Sequence, residues 1–169
     1  LNVLEFYKLY AHNAPQPPLN LRGGATSVLD RWIVARLHQL IKEVTENMEA
    51  YQLSEASRPI QDFIADLSQW YLRRSRERFK GKKNEQKAAL GTMSYVLGTL
   101  SKLLAPFMPF LAEHVWQSVT PSPPTPLRGL RSLGPSSTPE GEGGHRPGEG
   151  VVDSVHLTDW PKFKKSKID

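Results

Sequence analysis

Apolar residues along this chain recur mostly at helical intervals. Val3, Phe6, Tyr7 and Tyr10 stand at i, i+3, i+4 and i+7, the stripe of an amphipathic helix, and the prolines of "NAPQPP" at 13–18 end it. A linker to about residue 25 follows. Ser27, with Asp30 three positions on, has the pattern of a capping box. From Leu29 the positions Ile33, Leu37, Leu40, Val44 and Met48, widened by Val34 and Ile41, predict a long helix reaching Tyr51. Ser54 is the expected cap of a second one, with Ile60, Phe63, Ile64, Leu67 and Tyr71 inward and Pro59 within its second turn. Gly81 is the expected stop and Asn84 the next cap. Met93, Val96, Leu97, Leu100, Leu103 and Leu104 form a third long stripe ending at Pro106. Gly91 and Gly98 share a side of that helix; close helix approach and simple tolerance both account for them. "PFMPFLAEHVWQSV" predicts a short helix with Phe107, Phe110, Leu111 and Val115 inward.

These elements imply an all-α fold: an antiparallel bundle of three long and one or two shorter helices around one core. The bundle occupies residues 1–119. Residues 120–152, rich in proline and glycine and nearly without large apolar side chains, cannot bury enough surface to offset their ordering entropy, so disorder is expected there. Residues 153–169 form a tail in which Val155, Leu157 and Trp160 are placed to lie back across the bundle. A length of 169 residues suits one such domain. The chain opens on Leu1, already within a helical pattern, and reads as a piece of something longer.

Charge adds a direction. The formal net charge is +5, and seven of the twenty-two Lys and Arg residues crowd into positions 73–83 of "WYLRRSRERFKGKK". Arg73, Arg76 and Lys80 share one side of a helix, with Arg74 and Arg78 on an adjacent row, and Lys82 and Lys83 extend the ridge into a turn. Guanidinium forks and clustered cations suit a phosphate backbone, and Trp70 just ahead could stack on an unpaired base. A solvated face favoured by the negative end of the helix fits the same spacing equally well. Acidic membrane or protein surfaces fit it too.

Other chemistry is sparse. The chain has no cysteine, which excludes disulfides and thiolate sites and fits a cytoplasmic setting. No apolar run is long enough to span a membrane, so a soluble chain with no membrane partner is expected. Asp62 and Asp66 lie at i, i+4, a spacing that can serve a hard cation or acid–base work, but nothing nearby completes a site; partners for arginine are the simpler reading. None of His12, His38, His114, His145 and His156 has metal-ligand spacing. With no phosphate loop or nucleophile motif, neither catalytic nor metal-binding residues are assigned, and no cofactor is expected for this piece.

"LDRWIVARLHQLIKEVTENMEAYQLSEASRPIQDFIADLSQWYLRRSRERFK" and "LSKLLAPFMPFLAEHVW" together resemble the anticodon-binding helical domain of the class I aminoacyl-tRNA synthetases for isoleucine, valine and leucine. "LNVLEFYKLYA" is similar to the helix that enters that domain, and "DSVHLTDWP" at 153–161 is most like the isoleucyl enzymes, with valyl the alternative. The resemblance implies a parent ligase joining isoleucine to its tRNA with ATP and magnesium. The nucleotide-binding signatures of that class, of the form HIGH and KMSKS, are absent from this stretch, so what carries over is recognition of the anticodon stem and loop and contact with the parent's catalytic domain. It favours a nucleic-acid role for Trp70, Arg73, Arg74, Arg76, Arg78, Lys80, Lys82 and Lys83, with some of the arginines free to brace the bundle instead. The long stretch after Val119 departs from the family pattern, and no binding role is assigned to it. A helical protein-docking module is the alternative of another class.

Overall fold

The computed structural model describes residues 2–11, 27–120 and 154–164. The linker before residue 26 and the proline- and glycine-rich stretch lie outside the described residues. Helix α1 is Asn2–Ala11, α2 is Val28–Glu49, α3 is Leu53–Ala65, α4 is Arg73–Lys80, α5 is Lys83–Leu104 and α6 is Pro109–Val119. A π-helical stretch, Asp66–Leu72, joins α3 to α4 without leaving helical dihedrals, so 53–80 is one continuous rod. The described residues contain no strand. The three long rods and two short helices agree with the expected all-α bundle.

The α2 helix and the rod run antiparallel, and three polar links mark the register. Asn47 faces Glu55, Arg36 faces Asp66, and Asp30 faces Tyr71 and Arg78. The first link repairs a local fault. Pro59 has no N–H to offer the Glu55 carbonyl one turn back, and Asn47 Nδ2 donates to that oxygen at 3.5 Å.

The π stretch also has a physical cause in the sequence. Phe63, Leu67, Tyr71, Ser75 and Phe79 are all buried at steps of four residues. At 3.6 residues per turn, the path from Phe63 to Phe79 would carry a side chain about 160° off its starting line. The wider π turns take up that excess, so Ser75 and Phe79 face the core. Phe79 then closes against α1, edge-on to Phe6 at 5.1 Å and 5.8 Å from Tyr10 between ring centroids.

Several boundaries and orientations differ from expectation. Ser27 caps α2 by accepting the Leu29 N–H at 3.3 Å, but Asp30 turns inward, away from the capping box. The α2 helix ends at Glu49, and Tyr51 is exposed in a left-handed conformation, φ 57°. Gln52 and Lys82, not Ser54 and Asn84, occupy the cap positions of α3 and α5. Ile64 is 39% exposed, since the inward line passes through Phe63 and Leu67. Phe110 is 91% exposed; α6 buries Ala112, Val115, Trp116 and Val119 instead. The predicted α5 stripe is buried throughout.

The tail crosses the bundle as a strap. A short 3-10 turn, Val155–Leu157, is held by Glu113 of α6, which accepts from Ser154 Oγ at 2.9 Å and from the Val155 N–H at 3.0 Å. Trp160 Nε1 donates to Thr45 Oγ1 at 2.9 Å, and the Lys164 N–H points to His38 Nδ1 at 3.3 Å. Val155 is buried, while Leu157, expected inward, is exposed.

Candidate nucleic-acid interface

The basic run divides into two groups that the sequence spacing does not separate. Arg73, Arg74, Arg76 and Lys80 are exposed on α4, opposite the face that buries Ser75 and Phe79. Lys82 and Lys83 are exposed where α5 begins. Among the described residues none of these six pairs with a carboxylate. Arg78 is different. It turns inward, with Nη1 at 2.9 Å from Asp30 Oδ1 and Nη2 at 2.7 Å from Asp30 Oδ2.

Asp30 is wholly buried and also accepts from Tyr71 Oη at 2.8 Å. Both carboxylate oxygens are therefore engaged, which is the condition for a buried charge to be tolerated. The hydrogen bond to Asp30, working against burial, raises the Arg78 pKa. Burial first and the Asp30 carboxylate next push the Tyr71 phenol up, so it stays a donor. This triad ties the first turn of α2 to the base of the ridge. Arg78 belongs to the scaffold, and the guanidinium groups left facing out are Arg73, Arg74 and Arg76.

Trp70 lies in the π stretch and is 52% exposed, so its ring is not committed to the core. The Arg74 guanidinium sits over it, 4.3 Å from the ring centroid. The guanidinium covers one face of the indole, and both plane types accept unpaired bases. Lys82 and Lys83 stand at the N-terminal end of α5, where unpaired N–H groups already favour an anion. Two lysines there work against that helix end locally, a cost offset when a polyanion binds.

The acidic pair read from sequence separates. Asp66 accepts from Arg36 Nε at 3.2 Å and Nη2 at 2.9 Å, whereas Asp62 is exposed. No group of acidic or histidine side chains among the described residues is arranged to hold a metal ion. No described helix is long and apolar enough to cross a membrane. The residue that spacing misses is Asp30. Its capping-box position masks a partner 48 residues away.

Residues 30–169 match the family described as the anticodon-binding domain of tRNA ligase. The chain belongs to that family. Among curated proteins it is 36% identical over 171 residues to an isoleucine–tRNA ligase of Clostridium acetobutylicum, and 36% identical over 179 residues to that of Thermus thermophilus. Each alignment covers 99% of this chain and 14% of the relative. The isoleucine–tRNA ligase of Methanothrix thermoacetophila is 38% identical over 143 residues, covering 83% of the chain and 11% of that protein. The chain thus spans about one seventh of the length of the relatives that it matches.

Proposed function

We propose that this domain binds the anticodon arm of an isoleucine-accepting tRNA, as the recognition module of an isoleucine–tRNA ligase. The observation that carries the reading is the flank formed by Arg73, Arg74, Arg76, Lys80, Lys82 and Lys83, exposed and without carboxylate partners among the described residues, beside the half-exposed Trp70. The phosphates of the stem meet the cations, and an unpaired base of the loop stacks on the Trp70–Arg74 platform.

The module contributes positioning, and the chemistry belongs elsewhere in the parent. There, a catalytic domain would use ATP and magnesium to activate isoleucine. Nothing in the buried triad or the ridge is placed for proton transfer or nucleophilic attack on a substrate; Tyr71 and Arg78 are both spent on Asp30. The test is competition between isoleucine, valine and unrelated tRNAs for the chain. Preference for the isoleucine tRNA, lost when its anticodon is changed, supports the assignment. Equal binding of all three overturns it.

A second reading has its own observation. Phe110 and Met108 expose apolar side chains at the start of α6, 91% and 50% open respectively. A protein-docking role for that end predicts capture of a protein partner that Phe110→Ser abolishes while tRNA binding is unchanged.

A further inference from the structure

The π stretch decides which side chains of the rod meet solvent on the basic flank. In a regular α-helix Trp70 and Arg74, seven and eleven positions beyond Phe63, would each fall within about 20° of the Phe63 line. Phe63 is buried, so that geometry would send both into the core. Wider turns advance each residue by a smaller angle. With Asp66–Leu72 in that form, Trp70 is half-exposed and Arg74 exposed, while Tyr71 and Ser75 take the inward places. The two residues turned outward are the ones that stack, with the guanidinium carbon 4.3 Å from the ring centroid. The stretch is pinned where it begins. Asp66, its first residue, accepts through Oδ2 from Arg36 Nε at 3.2 Å and Nη2 at 2.9 Å. Arg36 Nη1 donates to Gln39 Oε1 at 3.1 Å, so the guanidinium is held on both edges. Ser68 Oγ donates to the Ala65 carbonyl at 3.2 Å, a local bond of the kind that competes with the regular helical ladder.

We propose that Arg36 and Asp66 are positioning residues of the RNA site: their ion pair fixes the first π turn, and with it the angle at which Trp70 and Arg74 meet an unpaired base. The inference rests on the reading of Trp70 as a base platform. The pair is partly open, its side chains 40% and 29% exposed, and pairs this open add little to stability. Its effect is on geometry. Long-range charge alone makes opposite predictions for the two residues, since losing a cation near a polyanion weakens binding and losing a carboxylate strengthens it. Positioning predicts weaker binding in both cases.

The test is a double-mutant cycle read with two RNAs. Arg36→Met, Asp66→Ala, Trp70→Ala and the double variants that add Trp70→Ala to each of the first two are titrated with an anticodon stem-loop and with a blunt duplex of the same stem, with thermal melts in parallel. Trp70→Ala should weaken stem-loop binding about tenfold, and Arg36→Met and Asp66→Ala about threefold each. In the Trp70→Ala background neither change should add a further loss, the signature of residues that act through one ring. Duplex affinity should not fall, and the melts should stay close to that of the unaltered chain. Arg36→Met alters no residue of the rod, so its result holds even where Asp66→Ala lowers the melt. Tighter stem-loop binding by Asp66→Ala would overturn the proposal, as would losses that persist in full without the Trp70 ring. A loss in Trp70→Ala with Arg36→Met and Asp66→Ala both unchanged overturns the positioning role alone. A silent Trp70→Ala removes the base platform itself, and the positioning role with it.

Discussion

Asp30 and Arg78 face each other through two hydrogen bonds of 2.9 and 2.7 Å, joining the start of α2 to the last turn of the ridge helix. This pair separates two kinds of arginine in one short run. Truncating Arg78 leaves Asp30 charged and buried, and losses of about 3–5 kcal/mol follow when one partner of such a pair is removed. Arg78→Ala should therefore lower the melting temperature sharply, whereas Arg73→Ala should leave it within experimental error. Thermal melts of the two variants check this. A stable Arg78→Ala would show that the triad does not hold the bundle.

Trp70 carries little of the core, since half of its surface is open. Trp70→Ala should weaken RNA binding by about 1–3 kcal/mol, the usual worth of one base stacked on an aromatic ring. Stability should fall far less than in Arg78→Ala. An anticodon stem-loop titration with parallel melts reads both quantities.

Tyr51 occupies the left-handed position of a helix C-terminal motif in which the Gln52 N–H reaches the Asn47 carbonyl at 2.8 Å and the Tyr51 N–H reaches that of Met48 at 3.1 Å. That position favours glycine, and the ring is 91% exposed. Left-handed backbone costs an L-residue about 1–2 kcal/mol, partly offset by the extra freedom glycine has when unfolded. Tyr51→Gly should stabilise the domain by about 1 kcal/mol in urea unfolding.

Glu113 clasps the strap. Partial burial opposes ionisation, but hydrogen bonds from Ser154, the Val155 N–H and Gln117 outweigh it and hold the carboxyl below its ordinary value of 4.5. A depressed folded pKa means the contribution is complete above pH 4.5 and is lost as pH falls through the lower folded value. The environment of Trp160, bonded to Thr45, should change in that acid range while far-UV circular dichroism persists. Glu113→Gln, which cannot titrate, should abolish the change in that acid range.

Periodicity made the core of this fold legible. All six apolar positions read into the α5 stripe are buried, because a long helix packed on several neighbours reports its inward face through spacing alone. Short helices report less. Phe110 satisfies the α6 pattern yet stays exposed, since Pro109 starts the helix beside it and Ala112, Val115, Trp116 and Val119 set the inward face. The steps of four from Phe63 to Phe79 signal the wide helical turn, but only when the line is followed beyond Tyr71. The resemblance pointed to the basic run as a whole. Its division could not be read from it, because the inward turn of Arg78 depends on a carboxylate that local pattern assigns to helix capping.

The central claim is that the exposed cations, and not Arg78, meet phosphates. The direct measurement is the slope of log binding constant against log salt for the isoleucine tRNA, taken for the unaltered chain and for Arg73→Ala, Arg74→Ala and Arg76→Ala. Each lost phosphate contact should make the slope shallower by about one unit. Slopes identical to that of the unaltered chain in all three variants would contradict the account.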